Sequence, residues 1–431
     1  MGDFEIGVQL HEKRSLEAVM KLKIAMLSVH SCPVGKLGGE STGGMSVYIR
    51  ELSRELGKLG HSIDIFTRVH GSAHDRIMEL GKNARLIHLK AGAENEIPKL
   101  TIYSHLSEFV RAVDQFKQMN GLDYDLIHSH YWLSGWAGTQ LQRLWKVPHM
   151  TMLHSMGAIK NSMAIGQEEP ELRIRCESLL VKYCQRIIAP TEREKEYLIH
   201  YYGASPEAIR VTPCGVNLEL FRSIEKQSAR NYLGFNGDNI ILFVGRIVPI
   251  KGIDKLLMAM TYLERREKTK LVVIGGDQHC DEEVKRLKAL TRRLNIDGSV
   301  DFLGLVEQEE LPYFYSAADL CVFPSYYESF GLVALESLAC GTPVVATKVG
   351  GIEGVIKEGE TGYVVKDNAP DRLADKITLM LTVSKARAEA IHSIRASVIQ
   401  YSWANIAEAM AGEYKALLGS YPVENSGHRS F

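Results

Sequence analysis

Apolar and polar positions alternate along the chain as two series of short apolar runs, separated by stretches of helical period. The first series is KIAMLSVH (23–30), SIDIFTR (62–68), ARLIHLK (84–90), DLIHSH (125–130), HMTMLHS (149–155) and RIIAPT (186–191). The second is NIILFVGR (239–246), LVVIGG (271–276), VDFLG (300–304), LCVFPS (320–325) and PVVATKV (343–349). Runs this short and continuously apolar predict strands buried on both faces. Helical stretches between them, such as GGMSVYIRELSRELGKLG (43–60), predict the covering layers. The fold class expected is α/β, with two doubly wound parallel sheets facing a cleft. VTPCGVNLELF (211–221) is the expected junction, giving one domain over 20–210 and a second over 211–401. Residues 1–19 read as an N-terminal extension, 402–418 as a further helix, and 419–431 as a disordered polar tail.

Composition narrows the class. The 431 residues are 45% hydrophobic and 24% charged, with a formal net charge of -1. That balance gives no electrostatic footprint for general nucleic-acid binding. No apolar run approaches the roughly 20 residues of a spanning helix. The N-terminus carries acids and no apolar core of a signal peptide, and the seven cysteines are scattered without a C-x-x-C pair. A cytoplasmic protein without a disulfide framework or zinc site is therefore expected.

In doubly wound sheets, ligands bind outside the carboxyl ends of the strands. GGESTGGMSVYIREL (38–52) follows the first strand, and its glycines, Gly43 and Gly44 among them, would let backbone N–H groups approach a phosphate at a helix N-terminus. It is neither G-x-G-x-x-G nor a P-loop, so a plain strand–helix turn is the alternative. FVGRIVPIKG (243–252) places Arg246 and Lys251 just past a strand, where a guanidinium fork and a mobile ammonium suit a diphosphate better than two solvated surface cations.

PSYYESFGLVALESLACGTPVVAT (324–347) carries Glu328 in a loop and Glu336 about two turns into the expected helix. Eight residues at 1.5 Å each would separate them by roughly 12 Å, comparable to the span from a hexose past a diphosphate to a ribose. Between them lies a helix N-terminus around Phe330, Gly331 and Leu332 that would present free N–H groups to an anion. The alternative is a capping Glu328 and a core Glu336. His128 and His130 read as packed strand-end residues rather than a metal pair, since no third ligand accompanies them. His154 ends its strand at the cleft, where acid–base work, positioning of a sugar hydroxyl, and a purely structural role all remain open.

G-G-x-x-x-Y, G-R-x-x-x-x-K-G and E-x7-E, in that order over two Rossmann-like halves, resemble the retaining glycosyltransferases of family 4, which have the GT-B fold. The resemblance covers residues 20–418. It implies a last helix (402–418) crossing back to the first domain, and a hexosyl transfer, of glucose or N-acetylglucosamine, from a UDP-sugar to a hydroxyl acceptor. UDP-sugar would be a co-substrate, with no other cofactor and no metal, since no D-x-D motif sits at a convincing strand end. Carried over by position, Gly43, Gly44, Arg246, Lys251, Glu328, Phe330, Gly331, Leu332 and Glu336 would bind the donor. His154, Arg246, Lys251 and Glu328 would serve catalysis, and His30, Lys99, Tyr131, Ser155, Lys160 and Arg173 would face the acceptor, a small phosphorylated polyol or sugar. The departures from the family's text, PKLTIY (98–103), Ser155, Ser41 and Ser46, concern the acceptor side. A UDP-sugar epimerase, a non-catalytic nucleotide-sugar binder and a lipid glycosyltransferase at a membrane surface are the rival readings. The last would need a basic amphipathic surface, for which HGSAHDRIMELGKNAR (70–85) is a weak candidate.

Overall fold

The computed structural model describes residues 20–35, 42–71, 76–235, 237, 239–264, 268–276, 281–384 and 390–421. The expected extension (1–19), Ser41 and most of the expected tail lie outside these residues.

Each series of apolar runs forms one sheet. The first contains β1 (Lys23–Leu27), β2 (Ser62–Arg68), β3 (Ile77–Gly81), β4 (Ala84–Leu89), β5 (Leu126–His130), β6 (His149–Met152), β7 (Arg186–Ala189) and β8 (Ile209–Val211), in the order β3-β4-β2-β1-β5-β6-β7-β8. Only β3 runs antiparallel to its neighbour. The second sheet contains β9 (Asn239–Val244), β10 (Thr269–Ile274), β11 (Val300–Gly304), β12 (Leu320–Phe323), β13 (Val344–Thr347) and β14 (Gly362–Val365). Its order, β11-β10-β9-β12-β13-β14, is that of a doubly wound nucleotide-binding sheet, with every pairing parallel. The fold is GT-B. The central strands are buried almost completely, as their apolar runs require.

Strand order reverses between β1 and β5 in one sheet and between β9 and β12 in the other. The loops that follow these four strands therefore open at the two switch points, which face each other.

β3, β8 and β14 have no counterpart among the expected strands. Within the 70–85 segment, Ile77–Gly81 is an edge strand paired antiparallel with β4. β8 occupies part of the region leading into the expected junction.

The last helix, Trp403–Ser420, runs two residues past the expected end and crosses back to the first domain. Its Glu413 pairs with Arg186 at 2.7 Å, its Tyr414 hydroxyl lies 2.8 Å from His128 Nδ1, and its Trp403 meets the Tyr48 ring edge-on. The two connecting segments run side by side where Val216 N donates to Tyr401 O. Among the described residues no helix is long and apolar enough to cross a membrane.

Candidate active site

A cleft of about 360 Å³ lies between the sheets and is lined from both sides. From the second domain come the expected Arg246, Lys251, Glu328, Phe330, Gly331, Leu332 and Glu336. From the first come His30, Gly43, Gly44, Lys99, Tyr131, His154, Ser155 and Lys160. Of the site residues expected from sequence, only Arg173 is absent from the lining.

Local structure explains the placement. Arg246 follows β9 and is exposed, while Lys251 ends a short 3-10 turn, Pro249–Lys251. Gly252 ends that turn at φ +66°, and a Cβ there would lie 2.2 Å from the Pro324 carbonyl oxygen. The K-G pair thus lets the Lys251 turn press against the loop after β12. Lys251 Nζ pairs with Glu328 Oε1, to which Ser325 Oγ also donates at 3.2 Å.

Gly331 at φ +95° cannot be helical, so the helix begins at Leu332 (Leu332–Ala339). Glu336 therefore sits just over one turn into it, rather than two, and the E-x7-E span is half loop and half helix. This helix N-terminus meets that of the helix Gly44–Lys58: a Cβ on Gly44 would lie 3.3 Å from Leu332 Cδ1. Two helix N-termini with unpaired backbone N–H groups thus converge on one region, which favours an anion.

The Glu336 carboxyl is buried. Glu336 is 8% exposed and accepts from Tyr315 Oη at 2.9 Å. Burial pushes it up to about 7, partly offset by Tyr315, Arg50 and Gln308. The Glu336 carboxyl therefore changes protonation state near neutrality.

On the first domain's side, Tyr131 directly follows β5 and His154 lies two residues past β6; they hold φ +75° and +58°. Such backbone is costly for non-glycine residues, of order 1–3 kcal/mol each, and concentrates at functional sites. His130 Nδ1 lies 2.9 Å from His154 Nε2, and the Tyr48 ring meets the His154 ring edge-on. Burial pushes the His154 imidazole down to about 3, so it is neutral at physiological pH. His128 and His130 are buried, as expected of strand-end residues, and no group of three or more candidate metal ligands occurs among the described residues.

Cations crowd the same wall. Burial first, and then the charges of Arg246, Arg173 and Lys160, hold the Lys99 ammonium below its usual value. Lys160 is held down by burial despite its pairing with Glu169. A bound anion would relieve both.

Residues 42–220 match the family model for glycosyltransferase family 4, and residues 225–396 the model for glycosyl transferases group 1. The chain is 38% identical to D-inositol 3-phosphate glycosyltransferase 2 of Catenulispora acidiphila over 402 residues, covering 91% of this chain and 94% of the relative. It is 35% identical to the D-inositol 3-phosphate glycosyltransferase of Corynebacterium diphtheriae over 405 residues, covering 92% and 95%. Sucrose-phosphate synthase from Thermosynechococcus elongatus superposes with a TM-score of 0.86 at 34% identity, covering 93% of this chain and all of that one. The chain belongs to glycosyltransferase family 4. It is an enzyme that transfers a glycosyl group.

In this glycosyltransferase Arg173 does not face the cleft, contrary to the reading of it as an acceptor contact. It is 1% exposed and lies beneath the wall, its Nη1 ion-paired with Glu169 Oε2 at 2.8 Å. Its Nη2 donates to Ser155 O and Oγ at 2.8 and 3.0 Å, and its Nε to Glu177 Oε1 at 2.6 Å. Its guanidinium stands 4.8 Å from the centre of the Tyr131 ring. Arg173 therefore orients Ser155 and Tyr131, which do line the cleft. The packing of a cation over a ring and beside two acids is invisible in a linear sequence.

The glycosyltransferase cleft also has walls that the motifs do not single out. Leu305, Val306, Gln308 and Leu311 follow β11 and form an apolar recess near Glu336. Gln308 bonds Arg50 of the first domain, closing this end of the cleft. The rule that pointed to the loops after β9 and β12, applied to VDFLG (300–304), would have reached them.

Proposed function

We propose that this glycosyltransferase moves glucose or N-acetylglucosamine from a UDP-sugar to a hydroxyl of a small phosphorylated polyol or sugar, with retention at the anomeric carbon. The observation carrying this is the meeting of Arg246, Lys251, Glu328, Glu336 and two helix N-termini in one cleft. An elongated ligand with a dianionic middle and hydroxyls at both ends matches that sequence of groups. Glu336 would accept from the ribose, the recess of Leu305, Val306 and Leu311 would take the base, and Glu328 would hold the hexose. Arg246, Lys251 and the backbone N–H groups would stabilise the charge gathering on the departing diphosphate.

The names of the relatives supply the acceptor class: inositol 3-phosphate in one case and a sucrose phosphate product in the other. Lys99 and Lys160 suit such a phosphate, with Tyr131 and Ser155 offering hydroxyls beside them.

A neutral His154 is a weak base, and Glu328 is tied to Lys251. The departing phosphate oxygen is then the best-placed acceptor for the attacking hydroxyl's proton. Attack from the leaving group's own face retains configuration, and a product of inverted configuration would refute that step.

The experiment is a UDP-release assay crossing UDP-glucose and UDP-N-acetylglucosamine with inositol phosphate, fructose 6-phosphate and a lipid acceptor. Acceptor-dependent release with a phosphorylated small molecule is expected, and it should survive EDTA. Release only with the lipid would overturn the acceptor class, and sugar isomerisation without acceptor would favour an epimerase.

The state of Glu336 makes a further expectation. Ribose hydroxyls bind best to an ionised carboxylate, so UDP-glucose affinity should rise by up to about tenfold from about pH 6 to about pH 8. Titration calorimetry on Glu336→Gln should lose that slope. An equal slope in the variant would assign it elsewhere.

A further inference from the structure

Glu194 stands where a local rule predicts something else. Thr191 caps the helix Glu192–Tyr202, accepting from Glu194 N at 3.1 Å. In a Thr-x-x-Glu pattern the glutamate ordinarily returns a bond to the cap's own backbone. Here the carboxyl instead accepts from Tyr327 Oη at 2.6 Å, across the boundary between the two domains. Glu194 is 3% exposed, and the Ser329 hydroxyl also faces it.

The partner is anchored as well. Tyr327 belongs to the second domain, yet its ring is buried in an apolar cluster built mainly from the first domain, with Leu153, Met156, Ile159 and Ile187. Its neighbour Glu328 pairs with Lys251, and Tyr326 N donates to Ile250 O at 2.9 Å. A buried acid is costly to keep unless its partner returns the stabilisation. The bond that Glu194 accepts from Tyr327 ties it to the loop that presents Glu328 and Phe330 to the cleft.

We propose that Glu194 is a positioning residue, gripping Tyr327 from the first domain so that the Tyr326–Gly331 loop is fixed opposite His154 and Ser155. The inference extends the reading of Glu328 as the group facing the donor sugar, and rests on it. A plugged aromatic ring sets the loop's depth, and the phenol–carboxyl bond sets its rotation. Substrate binding at Glu328 thereby depends on contact between the domains.

Four variants test this: Glu194→Ala, Glu194→Gln, Tyr327→Phe, and the double variant combining Glu194→Ala with Tyr327→Phe. Amide hydrogen exchange over 325–331 in the ligand-free protein should quicken by about tenfold or more in Glu194→Ala and Tyr327→Phe. Turnover of UDP-sugar should fall by about tenfold in kcat in both, and the double variant should be no worse than the poorer single one. Glu194→Gln keeps an acceptor for the phenol and should stay within about twofold of wild type. Tyr327→Phe removes one hydroxyl and keeps the plug, so poor folding of Glu194→Ala would not hide the result. Unchanged exchange in Tyr327→Phe, or Glu194→Gln as impaired as Glu194→Ala, would overturn the proposal. The exchange readout needs no substrate, so it decides the matter even if the wild-type protein proves inactive on every UDP-sugar.

Discussion

Arg246→Ala is expected to lower kcat by about 10²–10³, about 2.7–4 kcal/mol of transition-state stabilisation, the scale set by removing one preorganised donor to a developing anion. Arg246 is the cation on the second domain's wall that also raises the potential at Lys99 and Lys160 on the first. Charge on the departing diphosphate grows as the anomeric bond breaks, so the loss should appear mainly in kcat. KM for the UDP-sugar should change less. Lys251→Ala should be comparable, with one addition: it leaves Glu328 without its ionic partner. Steady-state kinetics on both variants check this. A loss confined to KM would mean that Arg246 holds substrate and transition state equally.

Trp403→Ala is expected to destabilise the protein by about 3–5 kcal/mol, the range for a large aromatic removed from a packed core. Trp403 is buried at the start of the returning helix. Its ring packs so closely on Gly215 that a Cβ there would lie 2.6 Å from Trp403 Cδ2. It also meets Tyr48, whose ring in turn braces His154. The variant should therefore lose activity before it unfolds. Urea unfolding followed by circular dichroism, alongside kcat, measures both. A shift of less than about 0.5 kcal/mol, the range of ordinary surface substitutions, would contradict the role given to this helix.

The sequence makes the central strands of both sheets legible because burial on two faces demands unbroken apolar runs, as in Ile240–Phe243 and Leu320–Phe323. β3, β8 and β14 lie at sheet edges and are partly exposed, so burial on two faces does not mark them in the sequence. Arg246, Lys251 and Glu328 could be placed because they follow strands, and the carboxyl ends of strands face the cleft. Gly331 shows the limit: its left-handed φ delays the helix to Leu332, four residues past Glu328, which periodicity does not register. Arg173 and Glu194 show another. Whether a cation faces a ligand or lies under it depends on Ser155 and Glu177, and Glu194 meets a partner 133 residues away. No spacing encodes either.

A crystal structure with UDP-glucose bound tests the assignment of the cleft most directly. The diphosphate should lie within hydrogen-bond reach of Arg246 and Lys251, with the ribose on Glu336 and the hexose beside Glu328 and His154. Nucleotide density on any other surface, with Lys251 still paired to Glu328, would refute it.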